Sequence, residues 1–263
     1  MKVLFIGNSF SYDANIYLHK MAEAAGAELT ALNLYIGGCS FERHAKNVCE
    51  NLAEYQPQYN GVFYPEYRCT VEDGLRFADW DVVSIQQVSG LSGIYESFFP
   101  YAQTVVDKVR LECPRAKIVM HETWAYEKGA AHGDFVRYGE SQMAMHEALH
   151  DAYTRVAKEV GCDAVIPVGD VIAALREYPI FDVERGGESL SRDGFHLGLT
   201  HGRYAAAATW FAALGLGDID SVDYIPIDPE YKTYRYETPL VGDRDKLAVI
   251  KKTVKELCPS PSV

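Results

Sequence analysis

A serine hydroxyl becomes a nucleophile only when a base removes its proton, and the base is best held by a third group on its other nitrogen. The sequence supplies these types in two places. Ser9 stands in GNSFS, at the end of the apolar run 2–8, and Asp193 and His196 stand three apart in SRDGFHLG (191–198). Asp-x-x-His can set the carboxylate and the imidazole on one turn. Acyl transfer also needs N–H donors where negative charge develops on the carbonyl oxygen. The backbone N–H of Ser9 is one candidate. Gly38, with no side chain to block a substrate, is a second, and the amide of Gln86 is a third, with Gln87 as its alternative. Strand alternation sends the two glutamines to opposite faces, so a single one is expected to serve. Each residue also has a plainer reading: Ser9 as a helix cap, Gly37-Gly38 as a turn, Gln86 as a strand-end residue.

A different chemistry is written at 146–150, which reads His-Glu-Ala-Leu-His. On a helix His146 and His150 share a face and can hold zinc, with Glu147 as general base. The neighbouring Leu149, Ala152, Val156 and Val160 mark the buried face and put both histidines at its margin. Glu159 and Glu177 are the acidic candidates for a third ligand. In HETWAY (121–126), Glu122 and Trp124 follow an apolar run and are candidates to face a substrate.

The elements that must position these groups alternate. Strand-like runs at 2–8, 29–38, 81–87, 117–124 and 163–169 precede helical patterns at about 15–25, 41–53, 101–111, 139–160 and 170–177, and a last strong helix covers 200–214. Such alternation predicts an α/β fold: a three-layer α/β/α sandwich on a five-stranded parallel sheet, flavodoxin-like, in order 2-1-3-4-5. Ligands of such sheets sit at the carboxyl ends of the strands, which puts Ser9, Gly38, Gln86 and Glu122 on one rim. Two stretches interrupt the alternation. Residues 55–70 carry five aromatics and two prolines and read as a hairpin or a lid, while 218–245 is rich in Tyr, Pro and Asp. The division expected is a main domain over 1–217 and an extension, 218–263, packed on it.

The chain has 263 residues, 48% of them hydrophobic, and a net charge of -12. Without a Lys/Arg cluster this argues against nucleic acid and anionic membranes as partners. The first apolar run is too short for a signal peptide, and none approaches a membrane span, so a cytoplasmic location is expected. The six cysteines form no C-x-x-C pair and read as reduced, mostly buried thiols. G-x-S-x-G and G-x-G-x-x-G are both missing, which removes the α/β-hydrolase elbow and the dinucleotide fingerprint.

Taken in order, GNSFS with Ser9, then Gly38, then an amide after the third strand, then D-x-x-H at Asp193 and His196, resemble the blocks of the SGNH hydrolases, the GDSL-like esterase and lipase superfamily. The resemblance covers about residues 2–215. It departs at the third block, where the family has G-x-N-D and this chain has IQQVSGLSG. WDVVSIQ, TWAY (123–126) and IPVGD (166–170) are similar to a carbohydrate-esterase-like branch that carries Gln there. The resemblance implies a serine esterase that removes an acyl group, acetyl first among them, from a carbohydrate or other small-molecule ester. Ser9 would be the nucleophile, His196 the base, Asp193 its partner, and Ser9, Gly38 and Gln86 the oxyanion donors, with no metal or cofactor. The zinc hydrolase built on His146, Glu147 and His150, and a non-enzymatic ligand-binding module, are the competing expectations.

Overall fold

The computed structural model describes residues 1–263 apart from Arg235, Pro259 and Ser260. Val3 to Gly7 of strand β1 (Lys2–Gly7) are all buried, as a strand covered on both faces requires. It pairs in parallel with β2 (Thr30–Tyr35) on one side and β5 (Val82–Ile85) on the other. The sheet continues through β6 (Lys117–His121) to β7 (Ala164–Ile166), again in parallel. These five strands have the expected 2-1-3-4-5 order. Among the described residues the sheet has seven strands, because 55–70 adds two antiparallel ones, β3 (Gln56–Tyr59) and β4 (Val62–Phe63), beyond β2. The turn between them is Asn60-Gly61, both at positive φ (48° and 81°), the conformation a two-residue hairpin needs. This stretch is therefore a hairpin on the sheet edge.

Helices cover both faces. On one, α3 (Phe41–Glu50), α4 (Val71–Arg76), α5 (Tyr101–Glu112) and α6 (Gln142–Val160) pack in succession. On the other, α1 (Ser9–Asn15), α2 (Leu18–Ala24), α7 (Val168–Leu175) and α9 (Arg244–Leu257) surround α8 (His201–Ala213). Helix α8 is buried on nearly every side. Its alanines let neighbours approach, and its Trp210 meets Phe5 of β1 edge-on at 4.6 Å. The Trp210 indole N–H donates to His121 Nδ1 at 2.8 Å, and burial lowers the His121 pKa to about 3, which keeps the ring neutral and able to accept. The α4 helix was not foreseen, although Thr70 and Asp73 close a capping box around its start. Of the six cysteines, all free, only Cys39 and Cys258 are buried, fewer than expected.

Within 218–263, Ile219, Val222, Leu247, Ile250 and Val254 join the same apolar core as the sheet. A carboxylate bridges this segment to α8: Glu188 accepts from His201 Nδ1 at 2.7 Å and from Lys246 of α9. Burial pushes the Glu188 carboxyl up, but hydrogen bonds from His201 and Lys246 outweigh it and leave the pKa at about 2, below its ordinary 4.5. A depressed carboxylate stabilises the fold above its unfolded pKa and loses that contribution as pH falls through the folded one. Glu188→Gln is expected to cost about 1 kcal/mol at neutral pH, since the site is part-exposed. That difference should shrink between pH 4.5 and about 2. Urea unfolding of both proteins across that window checks it, and a difference that stays constant through the window would refute it. No helix among the described residues is long and apolar enough to cross a membrane.

Candidate active site

Ser9 is the first residue of α1, where β1 ends, and the helix starts six residues earlier than its apolar pattern suggested. The reason is Asn8. It is the N-cap, and its Oδ1 accepts from the Phe10 amide at 3.1 Å. The strand-to-helix turn is tight: a Cβ on Gly7 would stand 2.3 Å from Ser11 Oγ, so only glycine fits. This turn holds Ser9 at the carboxyl edge of the central strand.

The loop 191–198 crosses the same edge. His196 Nε2 lies 2.9 Å from Ser9 Oγ, and His196 Nδ1 lies 2.7 Å from Asp193 Oδ2. The other Asp193 oxygen accepts the backbone N–H of His196 at 2.7 Å and that of Phe195 at 3.1 Å. Burial raises the Asp193 pKa, but the hydrogen bonds from the His196 ring and backbone outweigh it and hold the carboxyl below its ordinary range. The pair is thus an ionised carboxylate fixing an imidazole, with the opposite ring nitrogen on a hydroxyl. Residues 187 apart in sequence meet here.

Gly38 lies in the exposed turn after β2, with φ +62°, in the left-handed region that favours glycine. Among the described residues the backbone N–H groups of Ser9 and Gly38 make no hydrogen bond. Asn8 ties the two segments together, its Nδ2 donating to the Cys39 carbonyl at 3.1 Å and the Gln87 carbonyl at 3.4 Å.

The glutamines lie elsewhere than expected. Gln86 is buried, and its Nε2 donates to Asn8 Oδ1 at 2.7 Å, so its amide braces the cap residue instead of facing the rim. Gln87 is also buried. Its Oε1 accepts from the Phe41 amide at 2.9 Å and its Nε2 donates to the Ser97 carbonyl at 3.1 Å. Alternation fails to separate them because β5 ends at Ile85, and both glutamines follow in irregular backbone. Trp124 is also internal: it stacks on Phe10 at 4.1 Å and donates to the Phe195 carbonyl at 2.7 Å, so it props the loop that carries His196. Glu122 is 1% exposed and turned toward His150 of α6 and Asp170 of α7, so it faces those side chains and not the solvent.

One feature of the candidate site escaped sequence reasoning. Asp13, one turn beyond Ser9 on α1, is fully buried and accepts the Leu197 amide at 3.0 Å, Arg192 at 2.8 Å and Arg203 Nε at 2.9 Å. It clamps the residue next to His196 onto the helix that carries Ser9. The H-E-x-x-H residues also differ from expectation. His146 and His150 reach Asp170 and Glu122 at the carboxyl end of β6 and β7, while Glu147, Glu159 and Glu177 are exposed.

The fold is an α/β/α sandwich like that of proteins described as SGNH or GDSL-like hydrolases. A protein from Slackia heliotrinireducens, provisionally described as an SGNH hydrolase, superposes with a TM-score of 0.51 at 22% identity, over 80% of this chain and 96% of that one. A provisionally described GDSL-like lipase from Parabacteroides merdae superposes with 0.54 at 16%, over 82% and 96%. More specifically, the chain belongs to the DUF4886 family, a domain of unknown function whose model matches residues 2–233. A DUF4886 protein from Bacteroides uniformis, known from a crystal structure, is 35% identical with a TM-score of 0.86, covering 98% of this chain and 95% of that one. No curated protein matches the chain.

Proposed function

We propose that the protein is a serine ester hydrolase that removes an acyl group, acetyl first among them, from a carbohydrate or other small-molecule ester. The observation that carries this reading is the linear contact from Ser9 Oγ through His196 (2.9 Å) to Asp193 (2.7 Å). On this reading Ser9 Oγ attacks the carbonyl carbon while His196 Nε2 takes the hydroxyl proton, and Asp193 steadies the imidazolium. The N–H groups of Ser9 and Gly38 receive the oxyanion. Collapse breaks the ester C–O bond, and the leaving alcohol takes the proton from His196. Water then repeats the sequence on the acyl-enzyme, releasing the acid and restoring Ser9.

The carbohydrate part is supported by aromatics beside the Gly38 loop. Tyr12, Tyr35 and Phe63 contact one another with centroids 5.3 to 5.5 Å apart and remain part-exposed. Such faces suit a ring stacked at the mouth of a site. The acidic chain suits a neutral ester in the cytoplasm better than nucleic acid or a membrane surface. A fluorophosphonate probe tests the reaction class: a single adduct mapped to the peptide holding Ser9, formed equally with and without chelator, is expected. No adduct, or one on another residue, overturns the reading.

Gln86 has a distinct expected signature. A direct oxyanion donor costs roughly 10²–10³ in kcat when removed. A brace acting through Asn8 costs less, because Asn8 Oδ1 keeps the Phe10 N–H. Gln86→Leu should therefore lower kcat about tenfold, with stability falling by about 1 kcal/mol. Steady-state kinetics on p-nitrophenyl acetate, with urea unfolding alongside, separate the two. A hundredfold fall in kcat at unchanged stability would make Gln86 a direct donor.

A further inference from the structure

The histidines of the H-E-x-x-H stretch play no part in the reaction above, yet they converge with two carboxylates. His146 Nε2 is 3.4 Å from Asp170 Oδ1, and His150 Nδ1 is 3.1 Å from the same oxygen. His150 Nδ1 is also 3.3 Å from Glu122 Oε1. Donor atoms of Glu122, His150 and Asp170 all lie within 4.8 Å of one another. A tetrahedral zinc ion with bonds of about 2.0–2.1 Å sets its donor atoms roughly 3.4 Å apart. The separations among Glu122, His150 and Asp170 are thus compatible with one ion, with His146 set against the Asp170 oxygen beside them.

Two observations point to a ligand at this place. Glu122 is 1% exposed, and among the described residues its Oε1, the oxygen turned to His150, makes no hydrogen bond; Oε2 takes the Asp170 amide at 3.3 Å. A carboxyl oxygen that deep normally has a hydrogen-bond donor, an ordered water or an ion as its partner, and beside two imidazoles an ion fits. The backbone is also shaped for the approach. A Cβ at Gly169 would stand 2.2 Å from the Thr123 carbonyl oxygen and 3.2 Å from Glu122 Cδ, so glycine lets α7 bring Asp170 against Glu122. His150, with its side chain 56% exposed, leaves a path from solvent.

We propose that Glu122, His146, His150 and Asp170 form a binding site for a divalent transition-metal ion, zinc in the first instance. Two imidazoles and two carboxylates suit zinc better than calcium or magnesium, which take oxygen ligands. Glu122, His150 and Asp170 supply three donors within reach of one ion, and His146, set against Asp170 Oδ1, supplies the fourth after its side chain adjusts, so the ion is a structural clip joining α6, the exit of β6 and the start of α7. Glu147, the general base in a metallohydrolase reading of the motif, is exposed and outside the cluster. The site shares no residue with Ser9, Asp193 or His196, so it stands or falls independently of the ester-hydrolase reading.

The test is metal retention by the purified full-length protein. After equilibration with zinc chloride and gel filtration, elemental analysis should find one zinc per chain, and cobalt(II) should give the visible absorption of a tetrahedral site. At roughly a hundredfold excess over Kd, zinc should raise the Tm by about 5 °C or more. His150→Gln, a change on an exposed side chain, should fold normally and lose all three signals, as should Glu122→Gln. Ser9→Ala should keep them. No retained zinc with no cobalt spectrum would overturn the proposal, as would calcium retained in preference to zinc. Undiminished zinc in His150→Gln would overturn this ligand set. If Glu122→Gln does not fold, the His150→Gln result decides.

Discussion

Ser9→Ala should lower turnover of p-nitrophenyl acetate by about 10⁴-fold or more and abolish fluorophosphonate labelling. The size follows from the contacts. Ser9 Oγ is the hydroxyl within reach of His196 Nε2, and His196 is held by Asp193 on its other nitrogen. Removing the oxygen removes the covalent route, leaving only binding and the two backbone donors. KM should change little, because the oxygen adds contact mainly in the transition state. Asp193→Asn should cost roughly 10⁴ in kcat as well, since an amide neither fixes the same tautomer nor stabilises the imidazolium. Groups that act as a unit are not additive, so Ser9→Ala/His196→Ala should be no slower than Ser9→Ala alone. Turnover retained in Ser9→Ala, or losses that multiply in the double variant, would sink the assignment.

The parts of this site that the sequence made legible are local. Asp193 and His196 are three apart, so one turn brings them together wherever the loop lies. Ser9 directly follows an apolar strand, so its place on the rim follows from the topology. What was missed depends on distant pairing. Gln86 and Gln87 lie past the last residue of β5, where the period of two no longer tells which way a side chain turns. Their partners, Asn8 and Phe41, come from other strand-to-helix loops. Asn8 carried a signal, an N-capping type before a helix, but the apolar pattern that marks a helix begins only near residue 15. Asn60-Gly61 carried one too, the dipeptide of a two-residue hairpin, and it accounts for the two extra strands. For His146 and His150 the motif was visible, but Asp170 and Glu122 are brought to them by β6 and β7 lying side by side in the sheet. Asp13 gave no signal, because its partners lie 179 to 190 positions later.

Arg203→Met should destabilise the fold by about 3–5 kcal/mol, because it strips the counter-charge from buried carboxylates. Arg203 is fully buried. Its Nε donates to Asp13 at 2.9 Å, and its Nη1 lies 2.7 Å from Glu230 and 3.5 Å from Asp228 as charge contacts. Burial alone would lower its pKa, but Asp13 and Glu230 outweigh it and raise it, so the group is a fixed cation. With methionine in its place, among the described residues Asp13 keeps Arg192 and the Leu197 amide, and Asp228 loses its contact with the Arg203 guanidinium. Arg203→Lys should recover little, since a single ammonium cannot reach carboxylates that Nε and Nη1 face separately. Activity should fall further than stability explains, because Asp13 holds Leu197, next to His196, against the helix of Ser9. Asp13→Leu/Arg203→Met removes the stranded charge along with its partner, and part of the lost stability should return. Activity should not, since Leu197 then has no anchor on α1. Urea unfolding and p-nitrophenyl acetate kinetics on the three variants measure both quantities. A cost below about 1 kcal/mol for Arg203→Met would mean that this buried charge network does not hold the C-terminal segment. Activity returning along with stability in the double variant would mean that Asp13 contributes to folding and not to the position of His196.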